Sequence, residues 1–225
     1  MAVLIAIEGI DGSGKGTQTA RLVTALEAQG LRAASLQFPR YSATTFGRAI
    51  GDFLNGRFGA LNEVHPQLAA ALYAGDRFES KSLLKQLLAD NDVVVLDRYV
   101  GSNLAHQAAK LDGAARTELQ AWIEAIEYDV YQLPRPDLTI LIDTSSIMSR
   151  ELVSRKTTRD YTSAEADLQE CDLPYLERVR LCYRNLAESR PGWTIVRALD
   201  DVGELRCVDD IACDIFNVVR PLLPK

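Results

Sequence analysis

The residues best suited to chemistry lie at the start of the chain. GIDGSGKGT places Gly9, four further residues, and then Gly14 and Lys15 directly after the apolar run VLIAI at 3–7. That is the spacing of a Walker A loop, set between a buried strand and a helix. Glycine permits unusual dihedrals and close approach, so the backbone N–H groups of Gly9, Asp11, Gly12, Ser13, Gly14, Gly16 and Thr17 can gather around phosphate oxygens. The following helix adds its unpaired N–H groups, and the Lys15 ammonium can balance charge between β- and γ-phosphates. A nucleoside triphosphate is the ligand this implies. Gly16 stands where a Ser or Thr usually follows the lysine, so a hydroxyl close to magnesium falls to Thr17.

A second group follows VVVL. In DRY at 97–99, Asp97 ends another buried strand, and ligands of open parallel sheets collect outside such ends. Its carboxylate can orient magnesium or its waters, and Arg98 can meet phosphate with two parallel hydrogen bonds. A strand-terminal Asp that caps the next turn is the plainer reading of Asp97.

Apolar segments at 3–7, 31–38, 92–97, 138–143 and 193–199 alternate with stretches of helical character around 17–29, 63–90, 114–128, 172–189 and 208–220. Repeated strand-then-helix order predicts an α/β fold of the P-loop NTPase type: a five-stranded, mainly parallel sheet flanked by helices, with a short lid. LPRPD at 133–137 reads as a rigid entry into the fourth strand, because each proline fixes φ and biases its predecessor toward extended geometry. Residues 39–62 show no sustained periodicity and suggest a substrate loop. Residues 150–171 are crowded with charge and suggest a lid. Solvated loops alone would explain both.

With 225 residues and 47% hydrophobic content the chain can build a substantial core, and a single domain over 1–225 is expected. Twenty-five Lys and Arg against 31 Asp and Glu give a net charge of -6, a poor match to a protein held on nucleic acid by phosphate neutralisation. No run approaches the length of a membrane span and no signal peptide is evident, so no membrane partner and a cytoplasmic setting are expected. Cys171, Cys182, Cys207 and Cys213 form no CxxC pair, and His65 and His106 are far apart, which argues against a disulfide framework or a zinc cluster.

Taken in order, IEGIDGSGKGTQ (7–18), FPR (38–40), LYAGDRF (72–78), LDRY (96–99), LPRPDLTILID (133–143), an arginine-bearing lid and PYLERVRLCYRNLA (174–187) make the chain resemble thymidylate kinases of the P-loop nucleoside monophosphate kinase group. The resemblance implies ATP as phosphoryl donor with Mg2+, dTMP as acceptor, and a homodimer. It also implies an acceptor-binding region around 38–107 and a lid around 148–171. Arg40 and Arg77 would bind the acceptor phosphate, Arg98 would orient it, and Tyr73 would stack on thymine; Phe38, Pro39, Ser102, Asn103 and Gln107 complete the expected acceptor contacts. Asp11 would orient the acceptor's sugar or phosphate, and Glu8 would organise magnesium-bound water, although both can instead cap loop N–H groups. Arg150 would stack against adenine. Some family members carry a catalytic arginine in the phosphate loop; Gly12 occupies that place here, so Arg155, Lys156 and Arg159 of the lid are expected to supply the charge, with Arg155 and Arg159 as catalytic residues beside Lys15 and Arg98.

Two departures bear on specificity. His106 replaces a tyrosine common near the deoxyribose in the family, and either ring nitrogen can bond there. FPRYSATT differs in spacing from the familiar FPER-type loop and puts Tyr41 where that pattern has arginine. The expected activity is phosphorylation of dTMP to dTDP. Another nucleoside monophosphate kinase is the nearest alternative, followed by a noncatalytic ATP-dependent binding protein and, weaker still, a nucleic-acid-translocating ATPase.

Overall fold

The computed structural model describes residues 2–154 and 172–224. Among them, strands β1 (Val3–Glu8), β2 (Ala33–Gln37), β3 (Val93–Asp97), β4 (Leu138–Asp143) and β5 (Trp193–Arg197) form one sheet in the order β2-β3-β1-β4-β5, every neighbouring pair parallel. The five strands fall where the apolar segments predict them.

Helices cover both faces. Val3, Ile5 and Ile7 point to one side, against Leu22 and Leu26 of α1 (Lys15–Ala28) and Ile211 and Ile215 of α9 (Val208–Val219). Leu4 and Ala6 point to the other, toward α4 (Lys81–Asp90), α5 (Val100–Ala108), α6 (Gly113–Glu124) and α8 (Leu173–Ser189). The alternation explains why β1 is apolar without a break: both of its faces are buried. The Asp137 carboxylate accepts from Leu4 N at 2.8 Å, so the proline-rich entry ties the start of β4 to β1.

The stretch 39–62 is more ordered than its sequence suggests. It contains α2 (Thr45–Leu54), whose Thr44 side chain accepts from Gly47 N at 2.8 Å as an N-cap. Ile50, Phe53 and Leu54 pack on Ala69 of α3 (Pro66–Glu79). The helical span expected over 63–90 divides into α3 and α4 at Ser80, and α5 and α7 (Ser146–Ser154) are additional. After α6 the chain makes a π-helical turn over Ala125–Val130 that carries Glu127 into the interior.

β1 and β3 end side by side, Ile7 opposite Asp97, and this edge receives the residues with chemistry. The part of the expected lid that contains Arg155, Lys156 and Arg159 lies outside the described residues.

Candidate active site

The turn between β1 and α1 needs glycine at two places for separate reasons. Gly9 has φ 148°, and a Cβ there would stand 2.7 Å from both the Ile142 carbonyl and Ser13 Oγ. Gly12 has φ 77°, and a Cβ there would enter the Ser149 carbonyl of α7. Helix α7 therefore rests on the phosphate loop, and the Ser149 hydroxyl donates to the Asp11 carbonyl. A side chain at position 12 has no room, which is the physical counterpart of the missing loop arginine. Lys15 is buried and reaches back over the loop to donate to Ile10 O at 2.7 Å.

The loop forms one wall of a cleft of about 560 Å³. Asp11, Gly12, Ser13, Gly14, Lys15, Gly16 and Thr17 line it, with Asp97 and Arg98 opposite. Its far end is built from Gln37, Leu152, Leu205, Arg206, Val208 and Ile211, which the sequence pattern does not single out. Gln18 braces that end by donating to Val208 O at 3.0 Å. Arg150 is exposed on α7 and is not among the lining residues.

Magnesium fits the cleft as a shared ligand. The Asp97 carboxylate lies 3.2 Å from the position of a Cβ on Gly16, and Thr17 is exposed beside it. Among the described residues no cluster of three or more His, Cys, Asp or Glu could cage a metal. One carboxylate facing a phosphate-binding loop suits an ion that keeps most of its bonds to water and substrate phosphates. Glu8, in contrast, does not line the cleft. It is fully buried, its carboxylate bonded to Tyr99 N, to Ser102 of α5 and to Tyr183 of α8, and burial raises its pKa above the ordinary 4.5 despite the hydrogen bond from Ser102.

A second cavity shares Asp11 and Arg98 with the cleft. Phe38, Pro39, Tyr41, Leu54, Tyr73, Arg77, Ser102, Asn103, His106 and Gln107 complete its lining, so ten of the eleven residues expected to contact the acceptor meet there. Arg40 is the exception. Its guanidinium donates to Ser80 Oγ at 3.1 Å, its backbone N–H donates to Asp76 at 3.0 Å, and Tyr41 faces the cavity instead.

Arg77 lines the cavity but is already paired. It is buried, and its Nε and Nη2 donate to Glu127 at 2.5 and 2.6 Å. Burial alone would lower its pKa, but the Glu127 carboxylate outweighs that and raises it. A guanidinium already neutralised suits a neutral carbonyl better than a dianionic phosphate. Glu127 was not visible in the sequence: it stands 50 positions from Arg77 and only the π-helical turn brings them together.

Three buried polar atoms of residues lining this cavity have no hydrogen-bond partner among the described residues: Asn103 Oδ1, His106 Nε2 and Gln107 Nε2. Asn103 Nδ2 donates to Ala70 O and Glu127, which fixes the amide and leaves its oxygen to accept. Lys110 donates to Gln107 Oε1 at 2.9 Å, which presents that side chain's NH2. Burial, reinforced by the Arg98 charge, lowers His106 to about 3, so its ring is neutral. Because Tyr175 OH donates to the His106 carbonyl at 3.0 Å, the hydroxyl receives the Nδ1 proton at 3.3 Å and leaves Nε2 as an acceptor.

Arg98 has φ 67°, a left-handed conformation that costs a non-glycine residue about 1–3 kcal/mol and occurs where the surroundings impose it. Its Nη2 pairs with Asp11 at 2.5 Å, and its Nη1 donates to Gly9 O and Ser102 Oγ, both at 3.2 Å.

A parallel α/β sheet with a Walker A loop at the carboxyl end of its central strand, opposite a strand-terminal aspartate, defines a P-loop NTPase fold. The sequence profile described as Thymidylate kinase matches residues 7–207. The chain therefore belongs to the thymidylate kinase family. It is 36% identical over 206 residues to the thymidylate kinase of Mycobacterium tuberculosis, a match that covers 90% of this chain and 95% of the relative. The probable thymidylate kinase of Thermococcus gammatolerans is 31% identical over 225 residues, covering 98% and 97%. The solved structure of the Candida albicans thymidylate kinase superposes with a TM-score of 0.73 at 25% identity, over 98% of this chain and 92% of that one.

Proposed function

We propose that the chain transfers the γ-phosphoryl group of ATP to the 5′-phosphate of dTMP, forming dTDP and ADP. The observation that carries this reading is the meeting of two cavities at Asp11 and Arg98, one lined by the phosphate loop and one by neutral hydrogen-bonding groups and aromatic rings. Two anions held on either side of one arginine are the arrangement phosphoryl transfer needs.

The acceptor cavity matches a pyrimidine dione. Thymine presents a carbonyl, an N–H and a second carbonyl along one edge. Asn103 Oδ1 supplies the single acceptor, while Arg77 and Gln107 Nε2 supply donors. Cytosine would set its ring nitrogen lone pair against the Asn103 oxygen and leave buried groups unpaired, a mismatch that discriminates more strongly than a methyl group does. Tyr73 and Phe38 offer apolar faces to the base, and His106 Nε2 stands ready for a sugar hydroxyl.

The residues act mainly by alignment and charge. An acceptor phosphate is already largely ionised near neutrality and needs no dedicated base. Lys15 and Arg98 line the cleft that would take the phosphate groups, and Asp97 with Thr17 would hold Mg2+, which would offset the charge of the ATP phosphates. In this reading Arg155, Lys156 and Arg159 close over the transferring group, with 148–171 as the lid, 38–107 as the acceptor region and 1–225 as one domain; Arg150 stacks on adenine. No helix among the described residues is long and apolar enough to cross a membrane. A cytoplasmic homodimer completes the proposal, with exposed Leu68 of α3 supplying apolar surface for a partner; sedimentation at several protein concentrations tests it.

A panel of dTMP, dUMP, UMP, CMP, GMP and AMP with ATP, followed by ADP formation, tests the substrate assignment. Highest kcat/KM for dTMP is expected; preference for AMP or GMP overturns it.

A further inference from the structure

Glu8 ends β1 and is completely buried, yet its carboxylate is fully employed. Oε1 accepts from Tyr99 N at 2.8 Å and Ser102 N at 3.0 Å; Oε2 accepts from Ser102 Oγ at 2.6 Å and Tyr183 OH at 3.1 Å. Four donors match the four lone-pair sites of an ionised carboxylate. The fit is tight: a Cβ on Gly101 would come within 2.8 Å of Oε1.

These bonds bracket Arg98. Its own N–H donates to Ile7 O at 3.0 Å, and the next N–H, that of Tyr99, goes to Glu8. The last two residues of β1 thereby take successive amides on either side of the left-handed residue. At the other end of the side chain, Arg98 Nη1 donates to Ser102 Oγ, whose own hydrogen is directed to Glu8. One carboxylate thus contacts the backbone beside Arg98 directly and bonds one of the guanidinium's acceptors, Ser102 Oγ, and Tyr183 of α8 bonds to the same carboxylate.

We propose that Glu8, braced by Tyr183, is the positioning residue that sets the Arg98 guanidinium at the junction of the two cavities. The proposal rests on the reading of Arg98 as a phosphate contact. Its chemistry points to Glu8→Gln as the informative change. The amide oxygen can keep the two N–H bonds, while the amide NH2 can donate to the Ser102 and Tyr183 hydroxyls once these rotate. Ser102 Oγ then receives hydrogens from both Gln and Arg98 and its own hydrogen is no longer anchored on position 8, so one of the three acceptors of the guanidinium, beside Asp11 and Gly9 O, loses its fixed orientation.

The test is steady-state kinetics of Glu8→Gln in wild-type and Arg98→Lys backgrounds, together with the 15N–1H signal of Arg98 Nε in the full-length protein. The variant should lose about 10- to 100-fold in kcat at an ATP KM within about twofold of wild type, and lose less than about threefold once Arg98 is lysine. The Arg98 signal should move or broaden in Glu8→Gln. Equal losses in the two backgrounds, or an unchanged Arg98 signal, overturn the proposal. Should Glu8→Gln not fold, Tyr183→Phe removes one brace with minimal change of shape; a kcat loss confined to the Arg98 background supports the proposal, and no loss overturns it. Wild-type turnover of dTMP is measured in the same experiment, so an enzyme inactive on every monophosphate refutes the function, whereas an active one indifferent to Glu8 refutes only the positioning role.

Discussion

Arg98 Nη2 lies 2.5 Å from Asp11 Oδ1, and this ion pair occupies the border shared by the loop-lined cleft and the second cavity. Asp11 also accepts the Ser149 hydroxyl through its carbonyl, so α7, the phosphate loop and Arg98 meet at a single residue. A chain of two contacts thus runs from α7 to the guanidinium through Asp11.

The pair should behave as a unit. Arg98→Lys keeps the charge but loses the planar fork that reaches Asp11, Gly9 and Ser102 together, and kcat should fall about 100-fold. Asp11→Asn should lower it less, and the double variant should be no worse than Arg98→Lys alone. Turnover of all three under saturating nucleotides checks this; additive losses would show that the two residues act separately.

Lys15→Ala tests the loop. The lysine packs over Ile10 O and faces the cleft, so its removal should leave the fold intact while lowering phosphoryl transfer by about two to three orders of magnitude. Circular dichroism with ADP formation separates the two effects; undiminished transfer would sink the assignment of the cleft.

The strands and the loop were legible because both are written in local sequence: β1 and β3 are unbroken apolar runs, and Gly9, Gly14 and Lys15 fall at a fixed spacing. Helix α2 was hidden by its glycines. Phe46, Ile50, Phe53 and Leu54 do recur at helical spacing, but Gly47 and Gly51 dilute the pattern, and Gly47 is needed because a Cβ there would strike Arg40 O and Thr44 Oγ1. Glu127 and Ser149 were illegible for a different reason. Each acts on a residue far along the chain, Arg77 and Asp11, and only the packed fold defines those pairs. Arg40 and Arg77 show the same limit: the motif locates the arginine, but its partner decides what it can bind.

Arg77 and Glu127 form a buried pair whose halves cannot be removed singly without loss. Arg77→Met should destabilise the protein by about 3–5 kcal/mol, because it strands the Glu127 charge away from water. Adding Glu127→Leu should recover most of that stability, yet not the acceptor affinity, since Arg77 lines the cavity. Urea unfolding and dTMP titration of the single and double variants distinguish the outcomes.

Gly12→Ala should weaken the seat of α7. The new methyl group meets the Ser149 carbonyl and Val153 in a left-handed backbone conformation, and overpacking of this kind costs about 1–3 kcal/mol. Proteolysis of α7 should accelerate in the variant and kcat should fall with it; unchanged protection would mean that α7 does not depend on the loop.

His106 predicts a pH dependence of stability with a definite sign. Its pKa is lowered from the ordinary 6.5 to about 3 in the folded protein, first by burial and then by the Arg98 charge. Between those values the unfolded chain binds a proton that the folded chain refuses, so stability rises with pH across the window and is lost as pH falls through it. At pH 5 the loss relative to pH 7 amounts to about 2 kcal/mol. Glu8 works in the opposite direction, because its raised pKa lets the folded state hold a proton just above 4.5 that the unfolded state has released. Comparison with His106→Gln removes that contribution, since Glu8 is common to both proteins. The variant should lose less stability than wild type between pH 7 and pH 5, by the same 2 kcal/mol or so in urea midpoints converted to free energy. Parallel acid profiles would mean that the ring is protonated in the folded state, and Nε2 would then be a hydrogen-bond donor to the bound sugar rather than an acceptor.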